Sequence, residues 1–279
     1  MKKILVPTDF SENAYNALKY GVDLFAEEAC EFYLLHTYTP SLYNAEFMVN
    51  ANLSLDEIYR INVNNSLSQV VTRIKKEFEH TKHSFKKLAC FSLLQDEIKN
   101  QVKAKGIDLI IMGTQGVTGA ATALFGTQTI HAIKEAVCPI LAIPSHSEYY
   151  PPSNLLFATD FEPDVTDSHL QIIKDIAASH KSKVHILHIL KNSFSAGQEK
   201  NKQTLANSFK ELQHEFHLRK SDTVVEGILN FQKENYLDVL VMVRHDHTFF
   251  QNLFLKPIVD KVGFQLSTPF LVLPVLKKD

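Results

Sequence analysis

Gly113, Gly116, Gly119 and Gly126 stand together in a chain that has only nine glycines. They follow the apolar run Leu109 to Met112, which reads as a buried parallel strand. They lead into Ile130, Ile133 and Ala136, whose spacing reads as one face of a helix. A glycine loop lets bare backbone approach a ligand, and a helix start points unpaired N–H groups and a partial positive charge outward. Strand, glycine loop and helix N-terminus together make a phosphate site. The loop has neither the Gly-Lys-Ser or Gly-Lys-Thr ending of a P-loop nor a GxGxxG dinucleotide fingerprint. An ordinary helix cap at Gly126-Thr127 is the competing role.

Other residues with ligand chemistry form incomplete sets. His245-Asp246-His247 and the i, i+3 pair His214 and His217 offer imidazole and carboxylate donors, but neither completes a metal shell, and solvated polar positions explain them as well. His36 and His188 fall at matching strand ends, where a hydrogen bond to a neighbouring loop is the simpler role. Cys30, Cys90 and Cys138 lack metal or redox spacing, and the apolar surroundings of Cys138 favour an inert thiol. No metal ligand is assigned.

The elements that must position the glycine loop occur twice. Asp108-Leu-Ile-Ile-Met112 through Pro139-Ile-Leu-Ala-Ile-Pro144 aligns without a gap, at a shift of 130 residues, with Asp238-Val-Leu-Val-Met242 through Pro269-Phe-Leu-Val-Leu-Pro274. Thr8-Asp9-Phe10 matches Thr159-Asp160-Phe161, and Leu35-His36 matches Leu187-His188. Two similar domains in tandem are expected, 1–146 and 147–279, with Ser145 to Ser153 and its Pro151-Pro152 as linker. Each repeat alternates strand and helix, which implies an α/β fold with a mostly parallel five-stranded sheet and helices on both faces.

In the first repeat, strands are expected near Lys3 to Val6, Phe32 to His36, Lys87 to Leu93, Leu109 to Met112 and Ile140 to Ile143. Helices are expected over Glu12 to Glu28, Asp56 to Glu79, Asp96 to Lys105 and Thr127 to Ala136. In the second, strands are expected near Asn154 to Ala158, Lys183 to His188, Thr223 to Val225, Val239 to Met242 and Phe270 to Leu273. The first repeat carries about twenty extra residues, placed by the alignment between Tyr38 and Tyr59, a surface insertion or a lid.

The second glycine loop is lost position by position. Gly113 becomes Val243, Gly116 Asp246, Gly119 Phe249, Gly126 Lys256 and Thr127 Pro257. A carboxylate repels phosphate, bulky side chains block the backbone and proline has no N–H to offer. The second domain is expected to fold and serve as a structural partner.

Lysine and arginine number 29 against 31 acidic residues, so no net field draws the chain to nucleic acid or to an acidic membrane. The apolar start stops at Pro7 and Asp9, too short for a signal peptide core, and no segment approaches a membrane span. With three unpatterned cysteines, the cytoplasm is the expected address.

The spacing Gly113, two residues, Gly116, nine residues, Gly126-Thr127 resembles the glycine motif of the ATP-binding branch of the universal stress protein (UspA) family. Ile4-Leu5-Val6-Pro7-Thr8-Asp9-Phe10-Ser11 is similar to that family's first strand and following loop. The resemblance implies the tandem two-domain type, with Rossmann-like (adenine nucleotide alpha hydrolase-like) domains and ATP in the first.

By that resemblance Pro7, Thr8 and Asp9 line the ribose or metal-bound phosphate region, and Thr37 meets the adenine through its backbone. Met112 and Gly113 end the strand, Gly116 gives close approach, and Gly126, Thr127, Gln128 and Thr129 hold phosphates, with magnesium or manganese arriving with the nucleotide. Hydrogen bonds to charged groups are worth about 1.5 to 3 kcal/mol each, so three or four support roughly micromolar affinity. Gln115 departs from the basic or histidine side chain that family members often carry there.

Without a motif lysine, an evident base or an arginine finger, hydrolysis is at most slow. The reading is a nucleotide-binding stress or regulatory protein whose state a protein partner reads. The alternatives are a non-nucleotide interaction scaffold and, last, an adenylate-forming or ATP-splitting enzyme, whose glycine-serine signature Pro7-Thr8-Asp9-Phe10-Ser11 lacks. The resemblance also implies pairing of Ile140 to Ile143 with Phe270 to Leu273, an intrachain mimic of a family dimer, with further homodimerisation left open.

Overall fold

Ile4, Leu5 and Val6 are buried one after another, as a strand covered on both faces of a parallel sheet must be. They belong to β1 (Lys2–Pro7) in a computed structural model that describes residues 1–39, 55–79, 81–114, 126–161, 167–190, 195–244 and 268–274. The chain falls into two units, Met1–Cys138 and Pro139–Asp279.

In the first unit β1 is followed by α1 (Glu12–Leu24), β2 (Cys30–Tyr38), α2 (Leu55–Glu77), β3 (Ser84–Phe91), α3 (Leu94–Lys105), β4 (Leu109–Gly113) and α4 (Thr127–Lys134). The strands lie in the order β3-β2-β1-β4, all parallel. Ser11 caps α1, its Oγ accepting from Ala14 N at 3.2 Å, and Ala14, Ala17, Leu18 and Gly21 turn the helix's apolar stripe inward. Arg73 ties α2 to α1: its guanidinium forks onto Glu12 at 2.6 and 2.9 Å and lies 3.7 Å from the Tyr15 ring. The segment 40–54 lies outside the described residues; beside it, Tyr38 Oη donates to Asp56 at 2.9 Å.

The second unit runs β5 (Ile140–Ile143), β6 (Asn154–Ala158), α5 (Asp167–His180), β7 (Lys183–Leu190), α6 (Ala196–Ser208), β8 (His214–Lys220), α7 (Val224–Glu234), β9 (Val239–Val243) and β10 (Phe270–Leu273). Its order is β5-β10-β9-β6-β7-β8. β5 pairs with β10 antiparallel, with Leu141 opposite Leu271, and the other pairings are parallel. Each repeat thus supplies five strands to a mostly parallel α/β arrangement, as the alternating pattern implies.

Two expected strands moved. Thr223 to Val225 is a helix start: the Thr223 hydroxyl accepts from Glu226 N at 3.1 Å and caps α7, while the strand lies earlier, at His214–Lys220. Apolar Val224 and Val225 suggested a strand, but the Thr-x-x-Glu cap wins. β3 begins at Ser84 and ends at Phe91, because Leu93 is the N-cap of α3. None of the described helices is long and apolar enough to cross a membrane.

The repeat is visible bond by bond. Asp108 Oδ2 accepts from Lys3 N at 2.7 Å, and Asp238 Oδ2 accepts from Asn154 N at 2.8 Å. Thr8 N donates to Leu35 O at 2.8 Å, and Thr159 N to Leu187 O at 3.0 Å.

Candidate functional site

In the first unit the chain runs from β1 outward through β2 and β3, then returns to place β4 on the other side of β1. Ligands of open α/β sheets bind beyond the carboxyl ends of the strands where the order reverses in this way. Two loops about a hundred residues apart therefore converge: Pro7, Thr8 and Asp9 at the end of β1, and Met112 and Gly113 at the end of β4. Thr37 lies near the end of β2, on the far side of β1 from β4.

The loop after β1 is held tightly. Phe10 has φ 65°, a left-handed conformation that costs a bulky residue about 1–2 kcal/mol. Its N–H donates to Thr8 Oγ1 at 3.0 Å, and its ring stacks on His36 at 4.4 Å between centroids. His36 Nδ1 lies 2.7 Å from Thr8 O. Ser11 N donates to Asp9 Oδ1 at 3.0 Å, and Asp9 is exposed.

The second repeat keeps the Thr-Phe-His part of this arrangement. Phe161 has φ 58° and donates to Thr159 Oγ1 at 3.1 Å, and His188 Nδ1 lies 2.8 Å from Thr159 O. Since that repeat has lost the glycines, the Thr-Phe-His arrangement belongs to the fold, and His36 has the hydrogen-bonding role expected of it.

At the other loop, a Cβ on Gly113 would meet Asn13 Nδ2 at 2.4 Å and Asn13 O at 3.0 Å, so α1 itself demands glycine there. Gly126 is the N-cap of α4, with φ −60° and ψ 149°, and makes no side-chain cap; its N–H donates to Thr114 O. Thr127 and Gln128 are exposed, and Thr129 is buried at 3% exposure, where its hydroxyl donates to Gly113 O at 2.8 Å. Gln128 Oε1 accepts from Gln95 Nε2 at 2.9 Å. Gln115, Gly116 and Gly119 lie outside the described residues, as do Asp246, Phe249, Lys256 and Pro257.

Burial pushes the thiols of Cys30, Cys90 and Cys138 up to about 12, which leaves little thiolate at neutral pH and fits inert cysteines. His214 and His217 do not share a helix face: both are on β8, three residues apart and so on opposite faces. The partner that sequence spacing missed is His185 on β7, whose Nδ1 lies 3.0 Å from His217 Nε2. Desolvation lowers the pKa of both imidazoles. His245-Asp246-His247 lies outside the described residues.

The sequence profile of the universal stress protein family matches residues 1–144. Universal stress protein MJ0577 of Methanocaldococcus jannaschii is 31% identical over 153 residues, covering 51% of this chain and 94% of the relative. Universal stress protein YxiE of Bacillus subtilis is 26% identical over 152 residues, covering 50% and 97%. The crystal structure of a universal stress protein from Archaeoglobus fulgidus superposes with TM-score 0.68 at 16% identity, over 99% of this chain and 97% of the other, a likeness of fold.

Proposed function

The chain belongs to the universal stress protein family, and on that premise we propose that its first unit binds ATP and that a protein partner reads the occupied state. The observation that carries this reading is convergence. The ends of β1 and β4 meet at the point where strand order reverses, and α4 starts beyond the glycine-rich stretch from Gly126, an N-cap that has no side chain to offer.

The residues present fit a nucleotide. Exposed Thr127 and the first N–H groups of α4 suit phosphate oxygens, and exposed Asp9 suits a ribose hydroxyl or a magnesium or manganese ion carried by the phosphates. Thr129 contributes its backbone, because its hydroxyl is used on Gly113 O. Bound nucleotide would supply three phosphates and a divalent ion; the described residues would position them and supply no activated base among themselves, which fits hydrolysis that is at most slow.

A second reading, an interaction scaffold with an unused glycine motif, has its own support. Gly113 has a packing reason to be glycine, and the Thr8–His36 arrangement recurs where the glycines are gone. Gently purified chain, denatured and examined by mass spectrometry, separates the two, followed by calorimetry with Mg-ATP. We expect one nucleotide per chain, and loss of binding in Gly116→Asp, which copies Asp246, with the fold retained by circular dichroism. An empty chain that also fails to bind added Mg-ATP favours the scaffold, and unchanged affinity in Gly116→Asp shows that the nucleotide site lies elsewhere.

A further inference from the structure

On one face of the second unit's sheet, β7 and β8 bring together donors that are far apart in sequence. His185 and Glu215 are register partners, and His217 follows Glu215 by two residues, so all three project from the same face. His185 Nδ1 and His217 Nε2 are 3.0 Å apart, and Glu215 Oε2 lies 3.8 Å from His217 Nε2. One ligand atom from each of the three falls within 4.8 Å of the others. We propose that His185, His217 and Glu215 bind a divalent transition-metal ion, with zinc the ion this donor set fits.

Two imidazoles and a carboxylate, with a fourth position left for water, form a recognised zinc donor set. Ligands about 2.0–2.1 Å from a tetrahedral ion lie about 3.3 Å from one another. The observed 3.0 and 3.8 Å separations bracket that value and the third pair, His185 with Glu215, falls within 4.8 Å, so side-chain adjustment is what brings the three donors onto one ion. His185 is also oriented from behind: its Nε2 faces Asn154 Oδ1 at 3.1 Å, and a hydrogen held there leaves the Nδ1 lone pair pointing at the site. The Phe231 ring of α7 lies 4.8 Å from the His217 ring and 5.9 Å from that of His185, packing both imidazoles from above.

The site is reachable. His185 is 7% exposed, but the Glu215 side chain is 49% exposed and β8 is the last strand in the unit's order. Two cations share the face. Lys183 Nζ sits 2.5 Å from Glu215 Oε2, and Arg219 is engaged by Glu234 of α7 at 3.3 Å. Lys183 therefore competes with an incoming ion for the same carboxylate, and its exposed head can swing away into water. His214 takes no part, since it projects from the opposite face beside Phe209 and Phe216.

The test uses the full chain, zinc titrated by calorimetry, and cobalt as a spectroscopic probe. We expect zinc to bind with an affinity that falls at least about tenfold in His217→Ala and in Glu215→Gln, both checked for folding by circular dichroism. Cobalt should give the intense visible absorption of a four-coordinate ion, lost in the same variants. Lys183→Met, which frees Glu215, should bind zinc more tightly than the natural chain. The proposal is overturned if the natural chain binds no zinc, if zinc affinity and the cobalt spectrum are unchanged in both ligand variants, or if Lys183→Met binds no more tightly.

Discussion

Thr127 and Thr129 are two residues apart at one helix start, yet they face different surroundings. Thr127 is exposed where phosphate oxygens would sit, and Thr129 is buried with its hydroxyl on Gly113 O at 2.8 Å. Thr129→Val removes a buried hydrogen bond and is expected to cost about 1–3 kcal/mol of stability in urea unfolding. Thr127→Val should leave stability within about 0.5 kcal/mol and weaken Mg-ATP binding by calorimetry. Gly113→Ala belongs with the first kind. Its new Cβ would press on Asn13 at 2.4 Å and on that residue's carbonyl at 3.0 Å, so a loss of about 1–3 kcal/mol is expected with or without nucleotide. The glycine spacing and the apolar strand before it were legible in the sequence. Which of two threonines faces outward was not, because both have the same chemistry and only the phase of α4 against β4 separates them. The same holds for Gly113, whose reason to be glycine lies about a hundred residues away on α1.

At the scale of elements, one buried histidine joins α1 to the start of β2. His83 Nδ1 accepts from Cys30 N at 3.2 Å, so the ring hydrogen sits on Nε2 and faces Val22 O at 3.1 Å. Protonation would put a second donor against the Cys30 N–H, and burial lowers the His83 pKa in the folded chain. The unfolded chain then binds the proton more readily. Stability should hold above the ordinary histidine pKa of about 6.5 and fall as pH drops from there toward the folded value, by at most about 1.4 kcal/mol per pH unit. His83→Phe should have a flatter stability profile between neutral and mildly acidic pH than the natural chain, measured by urea unfolding at each pH. Matching slopes would show that His83 does not set the dependence. Long apolar strands such as β1, β4 and β6 were readable because burial on both faces forces a continuous apolar run. β8 was not: its sequence His-Glu-Phe-His-Leu-Arg-Lys is mostly polar, as an outer strand permits, while the nearby Thr223-Val224-Val225 copied a strand's composition at a helix cap.

At the scale of the whole molecule, the gapless alignment of Ile140–Ile143 with Phe270–Leu273 becomes a physical contact between repeats. β5 closes the first repeat in sequence, yet it lies in the second unit, antiparallel to β10. Both strands are four residues of buried apolar side chains, so each alone would leave a hydrophobic edge open to misassociation, and pairing covers one edge of each. The family resemblance implied this pairing, but its direction and register required the structure, because runs as uniform as Ile-Leu-Ala-Ile and Phe-Leu-Val-Leu carry no alternation to fix them. The register makes a sharp prediction. Leu141 and Leu271 stand opposite each other although they come from different repeats. Each Leu→Ala change alone should cost about 2–5 kcal/mol, since both side chains are at most 1% exposed. Direct cross-strand neighbours interact by up to about 1 kcal/mol, so the double variant should lose less than the two single losses added together, by about 0.5–1 kcal/mol. Leu141→Ala combined with Ile186→Ala, on β7, which three strands separate from β5 in the same unit, supplies the reference, where the losses should add to within about 0.3–0.5 kcal/mol. Strict additivity in the Leu141–Leu271 cycle would count against this register, and with it against β5 and β10 as the place where strands of the two repeats pair.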